Sequence, residues 1–218
     1  MENFKNALTY EKSQQPIADN LYIRQFGNRN ELERYDWDAS EENRKMQRKD
    51  IDCSFLDRTQ SPPKRIYVSE KFRGEDWGDM CIELYSDYDK NKPGSALISE
   101  ADYYFYYIDP EYYRYLYGRD ERDVCYGKAY RVTVGPIKQL AQKALEQFNQ
   151  AGWKDEWLKG KSMSKKCLPG NTKDPIFTYI KSYSNNKSWM GVCVCISWAD
   201  IKKITEVTEY ITVDLNHL

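Results

Sequence analysis

Two neighbouring stretches decide the fold that we expect for this chain: Lys49-Asp50-Ile51-Asp52-Cys53-Ser54-Phe55-Leu56 and Arg65-Ile66-Tyr67-Val68-Ser69-Glu70-Lys71-Phe72-Arg73. Each stretch has the length and the apolar, β-branched and aromatic content that is typical of a strand. Between them, Gln60-Ser61-Pro62-Pro63-Lys64 has the composition of a turn. The sequence therefore predicts a hairpin with carboxylates on one strand and a lysine on the other.

The chemistry of this hairpin depends on which side chains share a face, since side chains alternate along a strand with a period of two. Asp50 and Asp52 share a face of the first predicted strand, while Ser69 and Lys71 share one on the second and Glu70 points the other way. Mg²⁺ is usually held by one or two carboxylates together with water and substrate phosphates. A lysine beside such an ion can stabilise the charge that builds on a phosphate. The pattern indicates a metal-dependent nuclease, and the alternative is a set of cross-strand ion pairs on a solvent-facing sheet.

Length and composition set the outer limits of the prediction. The 218 residues are 40% hydrophobic, enough for one domain with a core, which we place at residues 19–218. Residues 1–18 are polar and include Ser13-Gln14-Gln15-Pro16, so we expect this segment to be weakly ordered. No apolar run approaches the roughly 20 residues of a membrane helix, and the start lacks a signal-like apolar stretch. We therefore expect a cytoplasmic protein that does not associate with membranes.

Several classes of site are excluded by the histidine and cysteine content. The single histidine, His217, is the penultimate residue, which argues against Ser-His-Asp and Cys-His chemistry. The six cysteines form no Cys-x-x-Cys pair, so neither a structural zinc site nor a disulfide framework is expected. The net charge of -1 does not by itself indicate nucleic-acid binding. Four lysines in a basic run could still contact phosphates, or form a solvated surface: Lys159, Lys161, Lys165 and Lys166.

The remaining pattern alternates strands with helices. Residues 77–85 and the aromatic run 101–109 have the composition of strands. A helix is predicted from Ser40 to Arg48, and another between Ile137 and Phe148, where apolar residues recur every three or four positions. This order favours an α/β or α+β fold with a mixed sheet.

Four motifs, taken together, resemble the PD-(D/E)XK nuclease superfamily, in particular small nucleases and nuclease-like proteins of phages and bacteria. They are residues 47–52, 66–73, 78–84 and 101–106, and the likeness is dense over residues 47–107. The resemblance implies a restriction-endonuclease-like mixed β-sheet flanked by helices. It also implies hydrolysis of phosphodiester bonds, in DNA in preference to RNA, by an endonuclease or exonuclease that uses Mg²⁺ or Mn²⁺.

Carried over residue by residue, the resemblance makes Asp52 the first metal-binding acid and Lys71 the catalytic lysine. Ser69 stands where the superfamily places Asp, Glu or sometimes Gln, two residues before the lysine. Either Glu70, turned inward by a β-bulge, or Glu83, on the strand expected next to the hairpin, could supply the second carboxylate. The expected catalytic residues are thus Asp52, Glu70 and Lys71, and the expected metal ligands are Asp52, Glu70 and Glu83.

A supporting set completes the predicted site: Asp50, Ser69, Arg73, Asp79 and Glu83. Arg73 and Asp79 would hold the lysine or the acids in position, or would form an ordinary surface ion pair. Since Ser69 departs from the superfamily pattern, the alternative function is a catalytically inactive nuclease fold that binds nucleic acid or a protein partner, as an inhibitor or accessory factor. Cutting both strands of a duplex would favour a homodimer.

Overall fold

Strands and helices alternate along the chain in the computed structural model, which describes residues 2–26, 31–109, 126–151, 166–168, 175–183 and 190–213. The helices are α1 (Glu2–Phe26), α2 (Glu41–Arg48), α3 (Ser95–Ile98), α4 (Val134–Gln150) and α5 (Trp198–Ile201). The strands are β1 (Glu33–Arg34), β2 (Cys53–Asp57), β3 (Lys64–Arg73), β4 (Asp79–Asp87), β5 (Lys92–Pro93), β6 (Tyr103–Ile108), β7 (Tyr126–Thr133), β8 (Lys166–Leu168), β9 (Phe177–Tyr183), β10 (Met190–Ser197) and β11 (Val207–Val213). The fold is α/β and contains a mixed sheet, as the sequence predicts.

The chain divides into two compact units where the sequence predicts one domain. The first comprises Met1–Trp77, Glu100–Val132 and Val207–Leu218, and the second comprises Gly78–Ser99 and Thr133–Glu206. No helix in the described part of the chain has both the length and the hydropathy needed to cross a membrane.

The first unit is built on a six-stranded sheet with the order β1-β2-β3-β6-β7-β11. The predicted hairpin supplies the second and third strands of this order, with β2 antiparallel to β3 and Cys53 opposite Val68. On its other side β3 pairs in parallel with β6, and the register is continuous from Val68 to Arg73. This regular pairing leaves no bulge at Glu70.

Helix α1 covers one face of this sheet, although its first residues were predicted to be weakly ordered. Apolar side chains at positions 17, 18, 21, 22 and 26 of α1 are buried. Their spacing of one, three and four residues is that of one helix face, and the polar residues around Pro16 hide it in the sequence. The face packs on a core formed by the sheet residues Cys53, Phe55, Ile66, Val68, Phe105, Tyr107 and Ala129.

Helix α2 leads directly into the hairpin and fixes where β2 begins. Ser40 caps its first turn by accepting a hydrogen bond from the backbone N–H of Asn43 at 3.0 Å. At its end, Asp50 and Ile51 donate backbone hydrogen bonds to the carbonyls of Gln47 and Met46. This pairing is a Schellman motif, with Asp50 at the left-handed position that usually holds glycine.

The second unit is built on a five-stranded antiparallel sheet with the order β5-β4-β10-β9-β8. Its apolar face includes Leu84, Val192 and Val194, and the apolar stripe of α4 is buried through Ile137, Leu140, Ala141, Ala144 and Phe148. The helix contacts β4, and Tyr179 of β9 donates a hydrogen bond to the backbone carbonyl of Ala144 at 2.8 Å.

Candidate active site

Asp50, Ser69 and Lys71 form a hydrogen-bonded group at the start of the hairpin. The Lys71 ammonium lies 2.9 Å from Oδ1 of Asp50, and the Ser69 hydroxyl donates to Oδ2 of the same carboxylate at 2.8 Å. Ser69 is fully buried, and Asp50 and Lys71 are largely covered. Ser69 and Lys71 therefore share one face of β3, as the period of two predicts.

The sequence placed Asp50 on the first strand, and this was wrong. Asp50 lies in the turn that ends α2, with φ of 57°, and β2 begins three residues later. For residues other than glycine the left-handed conformation costs about 1 kcal/mol, least for Asp and Asn. The turn directs the Asp50 carboxylate toward Lys71. Asp50 therefore occupies a strained backbone position from which it contacts the lysine.

Asp52 is the second carboxylate at this point. Its Oδ2 accepts a hydrogen bond from the backbone N–H of Glu70 at 2.7 Å, and its Oδ1 accepts one from Nε2 of Gln47 at 3.1 Å. Burial raises the pKa of Asp52 from 3.8 to about 6; Lys71 acts to lower it, but the negative charges of Asp50 and Glu70 act in the same direction as burial. Asp52 is thus a carboxylate whose negative charge is incompletely compensated.

Lys71 is held in its charged form. Burial acts to lower the pKa of the ammonium group, but the carboxylates of Asp50 and Asp52 raise it well above its ordinary value. A lysine in this state cannot take up a proton, so it is unsuited to act as a general base. It is suited to orient an anionic group or to stabilise negative charge.

Glu70 does not join these residues, although the sequence predicted it as a catalytic acid and metal ligand. Because the register of β3 is regular, the side chain points to the face that packs on α1. There Arg34 contacts Oε2 at 2.7 Å and Tyr22 donates to Oε1 at 2.8 Å. The carboxylate, with a side chain only 2% exposed, is satisfied by these partners. Its predicted role as a metal ligand does not fit this geometry.

Glu83 and Asp79 also lie elsewhere, because the prediction that their strand follows the hairpin in the same sheet was wrong. Both residues are on β4 in the sheet of the second unit, and the neighbours of β3 are β2 and β6. The Glu83 carboxylate accepts the backbone N–H of Ser95 at 3.1 Å, at the start of α3. Asp79 lies opposite Ser197 of β10.

The other predicted residues have simpler placements. Arg73 stacks its guanidinium 4.8 Å from the centre of the Trp77 ring and 5.7 Å from that of Tyr106. Of the four lysines predicted to bind nucleic acid, Lys159, Lys161 and Lys165 lie outside the described residues. Lys166 begins β8, where it pairs with Tyr179.

A cavity of about 710 Å³ opens beside Asp52, and it includes residues that the sequence did not reveal as site residues. Glu11 of α1 lines it together with Gln47. Although Glu11 is exposed over much of its surface, loss of water around its carboxyl raises the pKa, while nearby Lys71 acts to lower it and Glu70 to raise it. Glu11 lies 41 residues from Asp52 along the chain, and no local pattern marks it.

The donor set suits a hard cation that keeps part of its water shell. Within the described part of the chain, no three His, Cys, Asp or Glu side chains are grouped so that they could hold a metal ion by themselves. Asp50 and Asp52 are the carboxylates that raise the pKa of Lys71, and each of their oxygens, which already accepts one hydrogen bond, has a further lone pair. Two acids completed by water and phosphate oxygens are an ordinary arrangement for Mg²⁺.

Comparisons of the chain with protein-family models, with curated proteins and with solved structures find no match.

Proposed function

We propose that this protein is a metal-dependent nuclease of restriction-endonuclease-like architecture, acting on DNA in preference to RNA. The observation that carries the proposal is the position of Lys71, which contacts Asp50 at 2.9 Å and whose pKa is raised by both Asp50 and Asp52. Asp52 also lines an open cavity, whose wall includes Glu70 but neither Asp50 nor Lys71. A mixed sheet with a central hairpin and a helix packed on one face supports the same architecture.

Asp50 provides the carboxylate that Ser69 lacks. In the superfamily pattern an acid stands two residues before the lysine, and here that position holds a buried serine. The Ser69 hydroxyl hydrogen-bonds the Asp50 carboxylate, which in turn contacts Lys71. An acid in the turn before β2 thus stands next to the ammonium group, where the superfamily pattern has an acid on the strand of the lysine.

Asp52 and Asp50 would hold a Mg²⁺ or Mn²⁺ ion, with Glu11 at the cavity edge. When bound, the ion would lower the pKa of a coordinated water and neutralise charge on the phosphate. Lys71, fixed by Asp50, is placed to stabilise the negative charge that grows on the phosphoryl oxygens. Gln47 and the Glu70 backbone N–H hold the Asp52 carboxylate in position.

The direct test follows cleavage of plasmid DNA with Mg²⁺, Mn²⁺ or EDTA. We expect cutting that requires the ion and is lost in Asp52→Asn and Lys71→Met. Lys64→Met is the matched control and should cut normally, because Lys64 is an exposed lysine on the same strand as Lys71 and is paired with Asp102. Metal-independent cutting, or full activity in Asp52→Asn, would refute the proposal.

A second experiment addresses the relocated acid. Asp50→Gly should remove activity, whereas Asp50→Gly/Ser69→Asp should regain part of it, because the double variant returns the carboxylate to the strand and puts glycine at φ 57°. If the double variant remains inactive while still folding and binding Mg²⁺ as the wild type does, Asp50 does not replace an acid at position 69.

One observation favours a second candidate, a nuclease fold that binds nucleic acid or a protein partner without cutting. All four carboxylate oxygens of Asp50 and Asp52 accept a hydrogen bond from within the protein. A binder of this kind would shift DNA in a gel without degrading it, and Lys71→Met would leave cleavage unchanged because there is none.

A further inference from the structure

The cavity beside Asp52 extends well past the residues used in the proposed function. Its volume of about 710 Å³ lies in the range of small-molecule pockets, roughly 300–1,000 Å³. Beyond Asp52, Glu11 and Gln47, its wall includes the turn that connects β1 to α2, from Tyr35 to Ala39.

Trp37 is the prominent aromatic residue of this wall. It is 50% exposed, which is unusual for so large an apolar side chain. The Arg48 guanidinium lies 5.6 Å from the centre of its ring. Exposed aromatic rings, with arginine beside them, are the surfaces on which proteins stack unpaired nucleobases.

The charges of the wall indicate which part of a nucleotide would enter. Asp36 and Asp38 flank Trp37, and their side chains make no hydrogen bond or ion pair with another residue in the part of the chain that the structure describes. Carboxylates accept hydrogen bonds and repel phosphates. Lys12 and Arg34 also line the cavity, and Arg34 is paired with Asp19 and Glu70. The part of the wall around Trp37 is therefore suited to the edge of a base that carries an amino group.

We infer that this cavity receives one unpaired base of the substrate strand, with the base stacked on Trp37, next to the phosphate that the proposed metal ion at Asp52 would bind. The exocyclic amino group of cytosine or adenine would donate to Asp36 or Asp38, whereas thymine presents a carbonyl at the corresponding position. A base inside a duplex cannot reach such a pocket without leaving the stack. The inference rests on the proposed function and names its substrate class: single-stranded, frayed or locally unpaired DNA.

The experiment measures binding, so that it does not depend on cleavage. Fluorescently labelled oligodeoxycytidine and oligodeoxythymidine of equal length are titrated with the full protein in Ca²⁺ and, in parallel, in EDTA, with a duplex as competitor. We expect tighter binding of the cytidine strand and weak competition by the duplex. Trp37→Ala should weaken binding by about 5- to 150-fold, the effect of one lost base stack.

Trp77→Ala is the matched control, because Trp77 is 53% exposed and also lies under an arginine, Arg73, but is absent from the cavity wall. It should bind like the wild type, and Asp36→Asn/Asp38→Asn should reduce the preference for cytidine over thymidine. Any one of four results would overturn the inference: Trp37→Ala binds as tightly as the wild type, the protein prefers thymidine, it prefers duplex, or it does not bind single strands.

The two proposals fail separately. Trp37-dependent binding of single strands without any cleavage would retain the pocket and refute the nuclease. Metal-dependent cleavage that is unaffected by Trp37→Ala and equally fast on duplexes would retain the nuclease and refute the pocket.

Discussion

Replacing Asp52 with asparagine is expected to stabilise the folded protein at neutral pH while removing the metal-dependent activity that we propose. The pKa of the buried carboxyl is raised from 3.8 to about 6, so that ionisation is less favourable in the folded state than in the unfolded chain. At about 1.4 kcal/mol for each pKa unit, the ionised Asp52 lowers the free energy of unfolding at neutral pH by roughly 3 kcal/mol. Loss of the hydrogen bond from Gln47 offsets about 1 kcal/mol, which leaves an expected gain of about 2 kcal/mol.

The sign of the pH dependence follows from the direction of the shift. Between about pH 4 and 6 the folded protein binds more protons at Asp52 than the unfolded chain does, so this residue lowers the free energy of unfolding as the pH rises. The advantage of Asp52→Asn should therefore be absent below about pH 4, grow up to about pH 6 and remain constant above it.

The assay is urea unfolding of both proteins across this pH range, followed by tryptophan fluorescence. Asp57→Asn is a control that should change stability in the opposite direction. Burial acts to raise the pKa of Asp57, but hydrogen bonds from Thr59 and Gln60 hold this pKa below its ordinary value. Its removal should destabilise the protein at neutral pH and matter less in acid. An Asp52→Asn variant that is less stable than the wild type at pH 8, or a difference that does not change with pH, would refute the reasoning.

Three further variants test the contacts around the site. Arg34→Met leaves the buried Glu70 carboxylate without its cation and should lower the free energy of unfolding, measured by urea titration, by about 3–5 kcal/mol. The double variant Arg34→Met/Glu70→Leu should recover most of the lost stability, and no recovery would contradict the pairing. Tyr22→Phe removes a buried donor to Glu70 and should lower stability by about 1–3 kcal/mol in the same titrations, more than an exposed hydroxyl would. Asp50→Ala should be less stable than Asp50→Gly by about 1 kcal/mol, since glycine adopts φ of 57° without strain, and equal melting temperatures would argue against that strain.

The hairpin was predictable because its signals are local. Strand composition, the turn between Gln60 and Lys64 and the alternation of Ser69, Glu70 and Lys71 all lie within 25 residues, and β3 has the predicted bounds to within one residue. The regular register with β6 and the contacts of Glu70 with Tyr22 and Arg34 also agree with the predicted face of Glu70. Such features depend on backbone geometry alone and need no knowledge of distant partners.

The position of β4 was not predictable in this way. Consecutive strands are neighbours in most sheets, and on that expectation Glu83 was assigned to the site. In the structure, β6 pairs in parallel with β3 and β4 pairs with β10, whose sequence lies more than 100 residues later. Nothing in the composition of β4 distinguishes a strand of one sheet from a strand of the other.

The roles of Asp50 and Glu11 depend on how helices meet the sheet. Asp50 reads as the second residue of a strand because no glycine marks the end of α2, although an aspartate can fill the left-handed position. Glu11 lies in a polar stretch whose helical face is recognisable only through the buried residues that follow it, from Ile17 to Phe26.

The case for the proposed cation depends on how the acids are paired. The side chains of Glu70 and Lys71 are adjacent in sequence but lie on opposite faces of β3, and Arg34 neutralises Glu70 on the face that packs on α1. Lys71 contacts Asp50 and acts to lower the pKa of Asp52, and it also attracts Glu11. The raised pKa of Asp52 comes first from burial, with the charges of Asp50 and Glu70 acting in the same direction and Lys71 against it. Asp50, Asp52 and the nearby Glu11 carboxylate outnumber this ammonium group, which leaves an excess of negative charge. A divalent ion would remove that excess, so titration with Mg²⁺ should stabilise the wild type more than Asp52→Asn, by RT ln(1 + [Mg²⁺]/Kd).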